Sequence, residues 1–505
     1  MYIPDFYQFK KLIKKFPIVP IVKVIPLRIS PLEISAKFYQ EEFFFFLDSA
    51  RFHPKTGRFS FLGFNPFMVF KSRGKKIEII REGNRKVLIC DPIEKLREIF
   101  LKFNTYKHRL PSPFTGGAIG YFSYDLGRLF EKLPCQAKDD LCLPEIYLAF
   151  YDTVIAIDHW ENKIFLISNA YSKDNDKAYS EAIEKIEDLI YRLETINPRD
   201  EEKKFNFVWD EEKDLKINSN FSQEGFEEIV RRAKEYISKG DIYQANLSQR
   251  FVIESNIEAF SLYRILREIN PSPFAAYLNF PEVKVISSSP ERLLKVEDRF
   301  VQTRPIAGTR PRGKDKEEDL KLRAELILNE KERAEHIMLV DLERNDLGRV
   351  CDYGTVKVDE FMVLEEYSHV IHIVSNVCGI LSKNKDRFDL IRAAFPGGTI
   401  TGCPKIRCME IIEELEPVRR SIYCGSIGYL GFNGNMDLNI VIRTFILTRG
   451  KVYVQVGAGI VADSDPTREY YETLHKAEAL LKAIKIAEKN ATGYRIQATK
   501  REYAF

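Results

Sequence analysis

The chain has 505 residues, of which 45% are hydrophobic and 30% charged, and its formal net charge is only +3 at pH 7. This is the composition of a globular protein long enough for two or more domain-sized units. This small net charge shows no excess of basic residues of the kind that nucleic-acid-binding proteins carry. We therefore expect no nucleic-acid partner.

The N-terminal region shows neither an export signal nor a membrane span. Its first residues, MYIPDFYQFKK, lack the apolar core of a signal peptide. The apolar run at 43–47 is too short to cross a bilayer and is followed directly by Asp48, so it predicts a buried strand. We therefore expect a cytoplasmic protein with no membrane partner.

Strand patterns dominate this region. Aromatic and β-branched residues alternate in RFSFLGF, AIGYFSY, IYLAFYDTVIAID and KIFLISN. An amphipathic helix follows in DNDKAYSEAIEKIEDLIYRLE, with Ala182, Ile186 and Leu189 on one stripe. The next stretch is charged and has no clear period, which indicates a linker or surface excursion. The predicted units are an N-terminal region 1–195, the excursion 196–218, a larger domain 219–490 and a C-terminal tail 491–505.

The second half alternates groups of strands with helices. A helix begins near Ser222 and stops at Gly240. Strand patterns follow, then helical patterns over 316–346 and 405–416, a hairpin pattern in SIGYLGFNGNMDLNIVIRTFIL and a last helix over about 466–488. Strands in groups with helices between the groups favour an α+β fold with mainly antiparallel sheets.

The last helix carries the sharpest candidate site. In DSDPTREYYETLHKAEALL, Asp465 is a predicted N-cap and Pro466 takes the first helical position. Glu469, Glu472 and Lys476 then share one face, and two carboxylates near a helix N-terminus suit a hard cation such as Mg²⁺. A solvated face with a glutamate–lysine pair explains the same spacing and is the commoner outcome.

A Mg²⁺ site needs further oxygen ligands, and KERAEHIMLVDLERND offers one. Glu335 lies beside the apolar run 337–340, which would partly desolvate its carboxylate. An ordinary glutamate on a helix surface is an equally good interpretation. In the strand pattern EYSHVIHIVS, His369 and His372 fall on opposite faces, so one histidine could face a cleft as an acid or base. A structural histidine is the more frequent case.

Three glycine-rich segments could approach a small anion closely. TRPIAGTRPRG at 303–313 combines three arginines with Gly308, and FPGGTITGCPK places glycines before a helix whose free amides suit a carboxylate or phosphate. Cys403 and Pro404 break the phosphate-binding pattern of ATP sites. GAGIVA at 457–462 fits a dinucleotide motif only weakly, because the helix begins after the motif ends.

The sequence shows no nucleophile–base set in a recognisable local context, neither cysteine with histidine and glutamate nor serine with histidine and aspartate. The eight cysteines contain no CxxC pair, which argues against zinc and against a disulfide framework. The chain therefore shows no glutaminase or hydrolase chemistry of its own.

In these motifs the chain resembles the chorismate-utilising enzymes, specifically the large subunits of aminodeoxychorismate synthase and anthranilate synthase. The match covers nearly the whole chain and is densest over 222–488, in GDIYQANLSQRF, SSSPERLL, TRPIAGTRPRG, AEHIMLVDLERNDLGRV, GNMDLNIVIRT and GAGIVADSDPTREYYETLHKA. The resemblance implies a large α+β sandwich of mainly antiparallel sheets with flanking helices. It also makes 219–490 the chorismate-binding catalytic domain.

The resemblance assigns roles to individual residues. The Mg²⁺ ligands of the family map onto Glu335 and Glu472, with Glu469 nearby. Glu291 and His372 map onto residues implicated in proton handling. In this family Mg²⁺ holds a substrate carboxylate while a ring hydroxyl leaves and a nucleophile adds.

Further residues complete the implied site. Lys476 is a plausible catalytic charge, and Lys405 is a plausible additional charge for substrate binding. The substrate contacts of the family map onto Gly308, Thr309, Tyr423, Arg443, Gly457, Ala458 and Gly459. The implied substrate is chorismate, and the implied partner is a separate glutamine amidotransferase that supplies ammonia.

Two positions separate the branches of the family. Water-adding relatives carry a base lysine where this chain has Gln244, so ammonia is the implied nucleophile. The best-known aminodeoxychorismate synthases have a nucleophilic lysine where this chain has Ala307, which resembles anthranilate synthase. LDSA, YDLGRLFEKLP, TGCPK, YCGSIGYLGF and MDLNIVIRT resemble the aminodeoxychorismate branch instead, and we favour that branch. The alternatives are anthranilate synthase and a non-catalytic chorismate- or tryptophan-binding regulator.

Overall fold

The computed structural model describes residues 1–51, 55–106, 112–171, 175–195, 216–366 and 370–502, with only the helical backbone over 491–502. Two large antiparallel sheets form its centre. The first sheet runs, in spatial order with strands numbered along the chain, β1 (Tyr2–Ile3), β2 (Ile18–Pro26), β11 (Lys163–Tyr171), β10 (Thr153–Asp158), β4 (Phe59–Gly63), β3 (Phe44–Asp48), β14 (Phe274–Asn279), β15 (Lys284–Ser289), β24 (Thr444–Thr448), β25 (Lys451–Ile460), β13 (Gln244–Glu254) and β12 (Ile217–Ser219), with β21 (Gly402–Cys403) beside β13.

The second sheet contains the remaining strands. Its spatial order is β18 (Ile306–Pro311), β20 (Val370–Ile380), β17 (Phe300–Arg304), β16 (Arg292–Glu297), β23 (Met436–Asn439), β22 (Ser426–Gly431), β8 (Gly117–Phe122), β9 (Ile146–Tyr151), β5 (Met68–Arg73), β6 (Lys76–Arg81) and β7 (Asn84–Ile89), with β19 (Lys357–Glu366) also paired to β20.

Helices cover the outer faces of both sheets. They are α1 (Phe6–Leu12), α2 (Pro31–Ala36), α3 (Pro92–Leu101), α4 (Gly127–Phe130), α5 (Asn175–Thr195), α6 (Gln223–Ser238), α7 (Ala259–Ile269), α8 (Lys316–Leu328), α9 (Glu330–Gly348), α10 (Arg387–Ala394), α11 (Lys405–Leu415) and α12 (Pro466–Glu502). No helix in the described ranges has the length and apolarity needed to cross a membrane.

The hydrophobic core lies in layers. Side chains from the inner faces of both sheets pack together, among them Phe45 and Phe61 from the first sheet and Ile119 and Tyr147 from the second. A second layer joins the outer face of the first sheet to α1, α5, α7 and α12, and a third joins the second sheet to α3, α9, α10 and α11. The predicted fold class, an antiparallel sandwich with flanking helices, is confirmed.

Several elements form where the sequence predicted them. The run at 43–47 lies, from Phe44 onward, in the buried strand β3. The predicted α5 stripe is buried at Ala182, Ile186 and Leu189. Helix α6 is capped by Ser222, whose side chain accepts a hydrogen bond from the backbone of Gly225, and Gly240 beyond its end has φ +79°.

Two helix predictions differ from the structure. The helix predicted over 316–346 is two helices, because the Asn329 side chain accepts a 3.0 Å hydrogen bond from Glu332 N and caps a new start. The last helix continues past its predicted end at 488 to Glu502 and takes in much of the predicted tail.

Strands from both ends of the chain share the sheets. β3 pairs with β14 in one sheet, and β8 pairs with β22 in the other. Of the predicted excursion 196–218, residues 196–215 lie outside the described residues, and the next strand begins at Ile217. The domain boundaries stay predictions.

Candidate active site

The start of α12 has the predicted geometry. The Asp465 side chain accepts a 2.9 Å hydrogen bond from Arg468 N, and Pro466 opens the helix. One turn further, Lys476 Nζ lies 2.7 Å from Glu472 Oε1. The same ammonium donates a 3.0 Å hydrogen bond to the carbonyl of Gly457. Lys476 therefore fastens the carboxylate-bearing helix to strand β25.

Glu335 reaches this place from α9. Its Oε1 accepts a 2.8 Å hydrogen bond from Gln244 Nε2 on β13. Burial raises the pKa of the Glu335 carboxyl, and repulsion from Glu332 and Glu472 raises it further, whereas Gln244 and Lys476 oppose the rise. The two glutamates predicted as metal ligands thus lie within electrostatic range of each other.

Gly457 and Gly459 of β25 lie close to the side chains of this site. A Cβ on Gly459 would lie 2.6 Å from Gln244 Nε2 and 3.5 Å from Glu335 Oε1. A Cβ on Gly457 would lie 2.5 Å from the side-chain oxygen of Asn246 and 3.0 Å from the Tyr423 hydroxyl. Only glycine permits this close approach. Ala458, between them, is fully buried, as is expected for the opposite face of the strand.

A second group of predicted residues lies at the edge of the second sheet. Thr309 on β18 stands opposite His372 on β20, and its Oγ1 is 2.8 Å from His372 Nδ1. The register shifts at Gly308, which has φ +71°. Burial, with the charge of Arg443, lowers the pKa of His372 to about 4, so its ring is neutral at pH 7.

The positive charge of Arg443 acts on His372. Among the described residues its guanidinium has no carboxylate partner, and desolvation lowers its pKa. Arg443 and His372 line a cleft of about 570 Å³. An unpaired, partly desolvated guanidinium in a cleft is a binding group for a ligand carboxylate.

The cleft includes residues that the sequence analysis missed. Its wall on α12 is formed by His475, Glu478 and Lys482. These residues follow Glu472 at spacings of three to four residues and therefore lie on the same face of the helix. This spacing is the sequence signal that could have identified them. Nothing in their local sequence separates them from an ordinary solvated helix face.

Glu291 occupies the corner between β15 and β16. It is 5% exposed, and its Oε1 lies 3.4 Å from Ile306 N, the residue before Ala307. Burial raises the pKa of Glu291 to about 8, and the nearby carboxyl of Glu343 adds to the rise. A protonated carboxylic acid at neutral pH suits proton donation.

Two predicted residues have protein partners that limit their roles. Lys405 Nζ lies 2.5 Å from Asp346 Oδ2 and 3.0 Å from the carbonyl of Ala394, in a buried ion pair. Glu469 is 8% exposed, and burial and repulsion from Glu472 raise the pKa of its carboxyl.

The arginines of TRPIAGTRPRG bind the protein's own carboxylates. Arg304 pairs with Glu360 and Glu365, and Arg312 pairs with Asp319. Arg310 bridges two glutamates on α8 and α9. The anion that these arginines hold is therefore internal. Thr309 and the backbone of Gly308 contact His372, which lines the cleft.

The carboxylates at the start of α12 and on α9 fit a divalent cation. Glu335 and Glu469 are both repelled by Glu472, and Lys476 is a cation acting on all three. In the described part of the chain no three acidic, histidine or cysteine side chains are close enough to hold a metal ion alone. Mg²⁺ is commonly bound by one or two carboxylates together with water and substrate oxygens, so a pair such as Glu335 and Glu472 would be compatible with it.

Comparison with known proteins identifies the family of this chain. The model of the chorismate binding enzyme family matches residues 48–482. The chain belongs to the chorismate binding enzyme family. Anthranilate synthase component 1 of Acetivibrio thermocellus is 44% identical over 96% of this chain and 99% of the relative. Aminodeoxychorismate synthase component 1 of Bacillus subtilis is 44% identical over 88% of this chain and 92% of the relative.

A solved structure shows the same architecture. The crystal structure of anthranilate synthase component I from Streptococcus pneumoniae superimposes with a TM-score of 0.75 at 35% sequence identity, covering 85% of this chain and 94% of the other. The fold is therefore that of anthranilate synthase component I, and the chain is a chorismate-utilising enzyme.

Proposed function

We propose that this chain catalyses the Mg²⁺-dependent amination of chorismate by ammonia to give 4-amino-4-deoxychorismate. The observation that carries the proposal is the set of charges offered to a ligand. Glu335 and Glu472 form a carboxylate pair beside the glycine backbone of β25, and the guanidinium of Arg443 lines a cleft with His475 of the helix that carries Glu472. Such a site suits a dianionic ring: Arg443 binds one carboxylate, and a cation on the glutamates binds the other.

Glu291 and His372 have further roles in this reaction. Bound Mg²⁺ would orient a substrate carboxylate and stabilise developing charge. Glu291 is a carboxylic acid at neutral pH and donates a proton to the departing ring hydroxyl. His372, held neutral and hydrogen-bonded to Thr309, orients the substrate next to Arg443.

The nucleophile and the position of amination follow from two residues. Gln244 is a neutral amide bound to Glu335, so it cannot serve as the base that activates water, and ammonia is the nucleophile. Several motifs, LDSA and MDLNIVIRT among them, and the Bacillus subtilis relative support the 4-amino product.

The alternative product is anthranilate, and Ala307 is the observation that favours it. Ala307 is 7% exposed and offers no nucleophile for a transient ring adduct, which leaves ammonia to attack directly. The Acetivibrio thermocellus relative supports this alternative to the same degree.

The ammonia comes from a separate glutamine amidotransferase subunit. The sequence has no glutaminase motif of its own, and the relatives are named as component 1 of their synthases. The pair would work as one enzyme, with this chain binding chorismate.

One assay decides between the two products. The chain is incubated with chorismate, Mg²⁺ and ammonium, with no lyase added, and anthranilate fluorescence is recorded. We expect chorismate to disappear without anthranilate fluorescence, and p-aminobenzoate to form only when aminodeoxychorismate lyase is added. Direct release of anthranilate would establish the alternative, and binding without turnover would indicate a regulator.

A further inference from the structure

Arg310 connects three elements of the candidate site. Its Nε lies 3.0 Å from Glu325 Oε1 on α8, and its Nη1 lies 3.1 Å from Glu332 Oε1 on α9. The same Nη1 donates a 3.0 Å hydrogen bond to the carbonyl of Thr309, within its own strand. The Arg310 side chain is only 20% exposed, so these contacts are partly shielded from solvent.

The partner Glu332 is held from two sides. Its Oε1 faces Arg310, and its Oε2 rests against the backbone of Gly308, where a Cβ would lie 2.8 Å away. The left-handed conformation of Gly308, with φ +71°, leaves this space open. The carboxylate of Glu332 is therefore held against strand β18 by Arg310 and Gly308.

Glu332 lies one helical turn before Glu335 on α9, on the same face. The two carboxylates repel each other. A cation held by Glu335 and Glu472 would attract Glu332 as well, and a third carboxylate would fill a coordination position that a substrate oxygen needs.

We propose that Arg310 is a positioning residue that keeps Glu332 out of the coordination shell of the bound cation, so that the shell stays open for the substrate carboxylate. This inference rests on the proposed function, because it needs the cation at Glu335 and Glu472. In this proposal the positive charge of Arg310 affects the affinity for the substrate although Arg310 does not contact the substrate.

The test measures Mg²⁺ and chorismate separately. Arg310→Ala releases Glu332, so we expect Mg²⁺ titrated calorimetrically into the substrate-free protein to bind about threefold or more tightly, because affinity rises with the number of charged ligands. The KM for chorismate is expected to rise about tenfold or more in the same variant, because a ligand position is lost. Adding Glu332→Gln to Arg310→Ala restores both values to within about threefold of wild type.

Two controls separate this role from structural support. Arg312→Ala removes an arginine that follows β18 and pairs with Asp319 on α8 and Glu366 on β19, and it leaves both values unchanged. Arg310→Lys keeps the positive charge and stays near wild type, and thermal melts show that each variant is folded.

Each outcome decides the proposal. Weaker or unchanged Mg²⁺ binding in Arg310→Ala, or no restoration by Glu332→Gln, overturns the positioning role while turnover by the wild type leaves the proposed function standing. A wild-type protein that neither binds Mg²⁺ nor converts chorismate overturns the proposed function and this inference with it.

Discussion

Nε2 of Gln244 donates a 2.8 Å hydrogen bond to Oε1 of Glu335, joining strand β13 to helix α9. The Gln244 side chain is 3% exposed, so the bond is made away from bulk water, where a carboxylate depends on its donors. A single neutral amide thus holds a partly buried carboxylate, on which Lys476 and Glu472 also act, without neutralising its charge.

Gln244→Leu keeps most of the side-chain volume but removes this donor. A hydrogen bond to a charged group contributes about 1.5–3 kcal/mol, so we expect Mg²⁺ affinity to fall roughly tenfold or more in calorimetric titrations. Gln223→Leu is the matched control, because Gln223 donates to Glu227 on the surface of α6. Unaltered Mg²⁺ binding by Gln244→Leu would contradict the role given to this bond.

Glu335→Ala and Glu472→Ala each remove one proposed cation ligand. We expect turnover of chorismate with ammonium to be abolished in both, while circular dichroism and the melting temperature show an intact fold. Glu330→Ala, an exposed glutamate in the first turn of the same helix as Glu335, serves as control and retains wild-type activity. Full activity in either site variant refutes the metal assignment.

Gly459→Ala tests the close approach of β25 to the carboxylate. The new Cβ would lie 2.6 Å from Gln244 Nε2, so the amide must shift and its bond to Glu335 is strained. We expect kcat/KM to drop about tenfold or more with little change in stability. Gly348→Ala, with nothing within 4 Å of the added Cβ, is expected to be neutral. Equal activities of the two variants would show that the glycine is not required.

Arg443→Ala removes the guanidinium proposed to bind a substrate carboxylate. We expect KM for chorismate to rise about a hundredfold, since an ionic hydrogen-bonded contact to a desolvated group is lost, with a smaller effect on kcat. Arg443→Lys restores only part of the affinity, because an ammonium cannot form the bidentate contact. A lysine variant with wild-type KM would argue against bidentate binding.

The elevated pKa of Glu291 predicts a specific pH dependence of kcat/KM. Because the pKa is about 8, its carboxyl is protonated at neutral pH. We expect kcat/KM, measured at constant free ammonia, to fall as pH rises through about 8. Glu291→Gln loses most activity together with this pH step, whereas Glu297→Gln, at the exposed end of β16, keeps both.

The same group affects stability. The folded carboxyl keeps a proton that the unfolded chain releases above its ordinary pKa of 4.5, so its contribution to the free energy of unfolding declines as pH rises from about 4.5 to about 8. Urea titrations across this range should show a shallower decline for Glu291→Gln than for wild type. Identical slopes would mean that burial does not perturb this carboxyl.

The local elements were readable from the amino-acid sequence, which also singled out the candidate site residues. Hydrophobic periodicity located α5 and β3, and Asp465 with Pro466 marked the start of α12, because these signals act within a few residues of the chain. The break at Asn329 was missed, since a capping side chain inside a helical pattern looks like an ordinary polar position.

Which charged side chains remain able to bind a ligand depends on the tertiary structure. In the sequence Arg304, Arg310 and Arg312 look like anion-binding residues, yet all three are paired with protein carboxylates. Arg443, by contrast, has no carboxylate partner in the described part of the chain. Burial and electrostatic repulsion depend on contacts between strands and helices far apart in sequence, such as β13 with α9. No local sequence pattern encodes those contacts. Only the folded structure therefore distinguishes an arginine paired within the protein from an arginine that can bind a ligand.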